Sequence, residues 1–121
     1  MTKEELMKVK SAPRMLRGEV HRYHTESGYS ALCVIISANH RAKDKYISII
    51  SLKDVDDQKH LMGDEVALAM PDGREYFCHC GMITYMRRDR IDELVTRLSR
   101  EQMYEIDTAI MDEIGIKEVL E

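Results

Sequence analysis

Short strand-like runs, each bounded by turn residues, fill residues 19–85, and beyond residue 89 the period of the apolar pattern changes. That switch constrains the fold more than any single motif. Glu19 to His24 alternates as a strand does, Thr25 to Ser30 is a polar loop holding Gly28, and Ala31 to Ser37 is a continuous apolar run suited to a central strand. A charged loop, Ala38 to Lys45, leads to a third strand over Tyr46 to Leu52, and Lys53 to Asp64 is polar and turn-like. Glu65 to Met70 and Arg74 to Cys80 flank Pro71-Asp72-Gly73, where proline presets one turn dihedral and glycine supplies positive φ, so a hairpin is predicted. Met82 to Tyr85 is a last short strand.

The remainder reads as helical. Ile91, Leu94, Val95 and Leu98 share one helical face, with Asp89 placed to cap it. Ser99-Arg100-Glu101-Gln102 is a capping box, and Met103, Ile106, Ile110 and Ile114 form a second stripe ending at Gly115. Strands followed by helices predict an α+β fold, a small curled barrel with two C-terminal helices on its side. Upstream, Thr2-Lys3-Glu4-Glu5 can open a short helix that Ser11-Ala12-Pro13 stops, because the residue before proline is pushed out of helical space. Residues 1–14 are thus an arm on a domain spanning 15–121.

Size and charge narrow the function classes. A chain of 121 residues holds one domain and needs a compact core or a partner subunit. No apolar run approaches the roughly 20 residues of a membrane helix. Met1-Thr2-Lys3-Glu4-Glu5 has neither the apolar core nor the cleavage site of a signal peptide, so a cytoplasmic protein is expected. The net charge of −4 argues against non-specific duplex binding by phosphate neutralisation, but basic clusters at Lys8 to Arg22, Arg41 to Lys45 and Arg87 to Arg90 leave room for a local nucleic-acid site. Cys33, Cys78 and Cys80 lie in or beside apolar strands and read as buried, reduced thiols. Cys78-His79-Cys80 with His21 and His24 offers zinc-type ligands, but the spacing does not suit a zinc knuckle, and no metal or other cofactor is expected.

The ordered set of local strings resembles the MazF/PemK/Kid toxin endoribonucleases over about Leu16 to Ile116. Arg17-Gly18-Glu19-Val20 is similar to the family's Arg-Gly-acid-β-branched opening. His24-Thr25-Glu26-Ser27-Gly28 is similar to the loop before its second strand, and Leu32-Cys33-Val34-Ile35-Ile36-Ser37 to that strand. Tyr46 to Leu52 resembles the next strand, with Ser51 near the family's threonine, and Thr84-Tyr85 with Arg87-Arg88-Asp89-Arg90-Ile91 resembles a later basic segment. The resemblance implies an SH3-like barrel of the CcdB/MazF type, a homodimer, metal-independent cutting of single-stranded RNA at short motifs, an antitoxin partner, and operator DNA reached through that antitoxin. Two departures stand out. Where the family has Gly-x-Arg-Pro, the chain has Gly28-Tyr29-Ser30-Ala31, and where Kid-like members carry Arg-x-Asp, it has His79-Cys80-Gly81.

Metal-free RNA cleavage needs a base for the 2′-hydroxyl, a cation for the phosphorane and an acid for the departing 5′-oxygen. His24 and His79 are the expected acid–base pair, since imidazole titrates near neutrality, and Ser51 is placed to hydrogen-bond a phosphate oxygen. Arg17, Arg22, Tyr29, Ser30, Arg87 and Arg88 are the expected RNA contacts. The alternative is a MazF-like binding protein without catalysis, acting through RNA, antitoxin or operator complexes. A gyrase-poisoning toxin is a third reading, for which Lys117-Glu118-Val119-Leu120-Glu121 offers no clear match.

Overall fold

The computed structural model describes residues 2–3, 14–54 and 65–115, so the expected N-terminal helix and most of the 53–64 turn lie outside the described residues. Seven strands follow in chain order: β1 (Glu19–His24), β2 (Ser30–Ile35), β3 (Tyr46–Asp54), β4 (Glu65–Ala69), β5 (Glu75–His79), β6 (Thr84–Arg87) and β7 (Ile91–Arg97), and then one helix, α1 (Arg100–Glu113). The strands pair in the order β4-β5-β3-β2-β1-β7, with β6 also on β3, and the order has two ends, so among the described residues the sheet is not closed. Every pairing is antiparallel. Among the described residues no helix is long and apolar enough to cross a membrane.

The sheet buries both its faces, which explains why β2 and much of β3 read as unbroken apolar runs rather than alternating ones. Val20, Leu32, Val34, Ile50, Leu52, Leu68 and Cys78 form one core together with Ile106 of α1. Tyr23, Cys33, Ile35, Ile47, Ile49 and Ile91 form a second core on the opposite face, joined by Met15. The predicted hairpin is present. Gly73, at φ 83°, donates its N–H to the Met70 carbonyl at 3.0 Å, and Asp72 accepts from the Arg74 N–H at 2.8 Å.

One element is corrected outright. Residues 91–97, expected as a helix, are strand β7, so the described residues hold one C-terminal helix and not two. The pairing of β1 with β7 shows why the pattern misled. Val20 faces Thr96, His21 faces Leu94 and Tyr23 faces Ile91, so β7 carries one extra residue in each interval. Each such bulge breaks the period of two, and Ile91, Leu94 and Val95 then fall at three- and four-residue intervals that mimic a helical face.

The second predicted helix forms as read. Ser99 accepts from the Gln102 N–H at 3.1 Å, and the Gln102 side chain accepts from the Ser99 N–H at 2.8 Å, a complete capping box. Ile106 is fully buried and Met103 and Ile110 pack beside it, whereas Ile114 lies at the C-terminal end of α1 and is exposed. Gly18, at φ 89°, lets the chain pass under Met103. A Cβ there would meet Met103 Cγ at 3.2 Å.

Candidate active site

Register decides which candidate residues can meet. His24 pairs with Ser30 and His21 with Cys33 across β1 and β2, Cys33 pairs with Ser51, and Leu52 pairs with Cys78. Directly paired residues share a face, and neighbours along a strand alternate. Ser51 and His79 therefore lie on the face of Cys33, and His24 and Ser30 lie on the other. The expected His24–His79 acid–base pair is not formed: the two rings sit on opposite faces of the sheet and three strands apart. His24 is instead half-exposed over β7, with Nδ1 2.8 Å from the Asp92 carboxylate.

Two cavities meet at Lys53 near the end of β3, the first against β1, β2 and β5 and the second against β5 and β6. The first, of about 500 Å³, is lined by Arg22, Tyr29 and Ser30, three of the expected RNA contacts, with Leu52, Lys53, Asp54 and Tyr76. Arg22 Nε donates to Glu93 at 3.2 Å, the Tyr29 ring meets the Tyr23 ring edge-on at 6.4 Å between centroids, and Arg74 lies 5.9 Å from the Tyr76 centroid. Arg74 also pairs with Asp54. Burial, together with the Tyr76 hydroxyl's bond to Asp72, holds that phenol above its ordinary pKa and therefore protonated.

The second cavity, of about 380 Å³, is lined by Ser51, Lys53, His79, Met82, Ile83 and Thr84. Ser51 Oγ and Tyr23 Oη share a hydrogen bond of 2.7 Å, and burial raises the Tyr23 pKa. His79 is almost wholly buried, and its Nδ1 lies 3.9 Å from Oε1 of Glu65, the residue facing it across the β4–β5 ladder. Lys53 lines both cavities. Sequence reading passed over Lys53 because the apolar run stops at Leu52. The alternation Ile50, Ser51, Leu52, Lys53 was the available signal that the strand continues.

Of the other expected contacts, Arg17 and Arg88 serve the scaffold, and Arg87 makes an exposed ion pair. Arg17 donates from Nη1 to Asp107 at 3.0 Å, makes a second bond to the same carboxylate through Nη2, and donates from Nε to the Ile36 carbonyl at 3.1 Å, which ties α1 to the sheet. Arg88 Nε donates to the Asp44 carbonyl at 3.2 Å, and burial lowers the pKa of its guanidinium. Arg87 pairs with Asp89 at 2.6 Å. None of these three lines either cavity. Among the described residues no group of three or more His, Cys, Asp or Glu side chains is placed to hold a metal ion. Cys78 and Cys80 belong to the core under α1, while His79 faces the other way.

Comparison with solved structures bears on this geometry. A mycobacterial endoribonuclease in complex with its cognate antitoxin superposes with a TM-score of 0.70 at 22% identity, over 86% of this chain and 96% of that one. MazF in the MazE–MazF complex of Deinococcus radiodurans superposes at 0.71 with 11% identity, over 86% and 98%. The fold is that of the MazF toxins. A third MazF-fold protein, the Mycobacterium tuberculosis toxin MazF-mt6, superposes at 0.68 with 10% identity, over 80% and 96%. No family model matches the sequence. No curated protein matches it either. Identities this low leave the MazF fold to carry the likeness, and the chemistry has to come from the chain's own residues.

Proposed function

We propose that the protein is an endoribonuclease toxin of a toxin–antitoxin pair, a divergent MazF-like ribonuclease that cuts single-stranded RNA at short motifs without a metal. The observation that carries this reading is the bridging position of Lys53 on a MazF fold, with a nucleotide-sized cavity on one side and the cavity of Ser51 and His79 on the other. Arg22, Tyr29, Ser30 and Tyr76 receive a nucleotide in the first cavity, where Tyr29 offers a stacking face. In the second, His79 accepts the 2′-hydroxyl proton and Glu65 steadies the imidazolium that results. The 2′-oxygen attacks phosphorus, and the Tyr23–Ser51 hydroxyl pair and the Lys53 ammonium stabilise the added charge. Lys53 then protonates the leaving 5′-oxygen, giving a 2′,3′-cyclic phosphate and a 5′-hydroxyl. The protein works in this reading as a cytoplasmic homodimer, restrained by an antitoxin that also brings the pair to operator DNA.

The test is cleavage of a long single-stranded RNA by purified protein with EDTA present. Wild type and His24→Ala cut at a few short motifs, whereas Lys53→Gln and His79→Ala lose roughly a hundredfold or more of the rate. Lys53 is only half-buried, so Lys53→Gln remains informative if His79→Ala fails to fold. Cleavage lost in His24→Ala but kept in Lys53→Gln would sink the assignment.

A second reading is favoured by two observations: Ser30 stands in place of the family's arginine, and the two histidines are separated by the sheet. Under it the protein binds RNA, antitoxin or operator complexes without cutting. Expression without an antitoxin arrests growth under the first reading and is tolerated under the second.

A further inference from the structure

Strand β6 carries an exposed aromatic surface that neither cavity uses. Tyr85 is 73% exposed and Tyr46 51% exposed. In the β3–β6 ladder Ser48 faces Tyr85 and Tyr46 faces Arg87, so both tyrosines stand on one face of the sheet, diagonal to each other. Diagonal partners of this kind lie about 7–8 Å apart, within reach of aromatic rings. Cations surround them. The Lys45 ammonium lies 6.0 Å from the Tyr46 centroid, Arg87 stands beside Tyr46 in the ladder, and Arg41, bonded to Asp44, also interacts electrostatically with Tyr85. The acids nearby, Asp44 and Asp89, are matched to Arg41 at 2.7 Å and Arg87 at 2.6 Å. With three cations against two acids, this face of a chain of net charge −4 is slightly positive and presents two open π-surfaces.

We infer that Tyr46 and Tyr85 form a stacking platform for single-stranded RNA, an extension of the substrate path beyond the two cavities. Bases are flat and offer π-faces whatever their sequence, and the backbone phosphates match the flanking cations. Thr84 and Tyr85 are neighbours on β6 and so lie on opposite faces of the sheet, which puts the platform round the edge of β6 from the His79 cavity. Thr84 lines the His79 cavity and Tyr85 follows it on β6, so a strand leaving that cavity past Thr84 crosses the β6 edge onto the platform. The inference rests on the RNA-acting reading above and adds where the flanking nucleotides go.

The experiment is fluorescence anisotropy of labelled single-stranded RNAs of about 8 and about 20 nucleotides, a span chosen around the ~4–16 nucleotides that small single-strand-binding folds cover. The proteins are wild type, Tyr46→Ala, Tyr85→Ala, the double variant, and Tyr46→Phe/Tyr85→Phe, each checked for an unchanged circular dichroism melt. Each alanine weakens binding of the longer RNA about fivefold or more and leaves the shorter one within twofold, and the phenylalanine pair restores wild-type binding. If wild type binds both RNAs and no alanine variant differs from it, the platform is refuted while the ribonuclease reading stands. If wild type binds neither RNA, both fall. Tyrosine-dependent binding of polyglutamate in place of RNA would show the face to be a docking surface for an acidic protein and overturn the inference.

Discussion

Glu19 is a buried carboxylate with three donors around it, and replacing it with alanine tests whether the Arg17-Gly18-Glu19 opening is architectural. Oε1 accepts from the Leu16 N–H at 3.0 Å and from His21 Nε2 at 2.9 Å, and Oε2 accepts from Arg97 Nε at 3.3 Å. The Arg97 side chain is exposed, so that bond contributes at most about 1 kcal/mol. The other two donors are different. His21 is buried and its Nδ1 donates to the Asp92 carbonyl at 2.9 Å, so the ring is fixed between β1 and β7 and cannot turn to water. Stranding the Leu16 N–H and His21 Nε2 costs about 1–3 kcal/mol each, and the Glu19→Ala loss comes to roughly 3–4 kcal/mol. For a domain this size that is a fall in Tm of roughly 10–15 °C. Glu19→Gln keeps an acceptor for Leu16 and loses about half as much. Urea unfolding followed by far-UV circular dichroism measures both, and a Glu19→Ala/His21→Ala cycle gives a coupling of about 1.5–3 kcal/mol. A Glu19→Ala loss below about 1 kcal/mol, or strict additivity in the cycle, would refute the buried-pair argument.

Two further expectations concern the scaffold. Gly18→Ala lowers stability by about 1–3 kcal/mol in the same unfolding assay, because alanine must adopt positive φ while its Cβ presses on Met103; an unchanged midpoint would contradict the close approach. Burial pushes the Cys33 thiol from 9.0 to about 12. The folded state therefore holds that proton more tightly than the unfolded chain does. The corresponding stability is intact below about pH 9 and drains away towards pH 12 at about 1.4 kcal/mol per pH unit. Cys33→Ala flattens that alkaline limb relative to wild type, and parallel profiles for the two proteins would count against it.

What could be read in advance depended on whether a segment's pattern was set by its own burial or by its partner. The first strand, Glu19 to His24, was legible to the residue, and the Pro71-Asp72-Gly73 turn and the Ser99–Gln102 cap were legible as well, because alternation, turn dihedrals and capping are local chemistry. Strand β7 was not legible, because its two extra residues have meaning only against β1. The candidate site divides in the same way. Arg22, Tyr29 and Ser30 do share a cavity, and Ser51 and His79 share another. That His24 faces away from His79 follows from a register running through β1, β2, β3 and β5, and no single strand's pattern contains it.

The bulges in β7 also govern how the molecule meets its neighbours. This strand ends the pairing order, and a straight end strand is a template on which a foreign chain can assemble. Two extra residues within seven put its N–H and C=O groups out of step with any regular incoming strand and add local twist. The irregularity that disguised β7 as a helix thus guards this margin of the sheet against polymerisation, and deleting one of the extra residues would trade solubility for a smoother ladder.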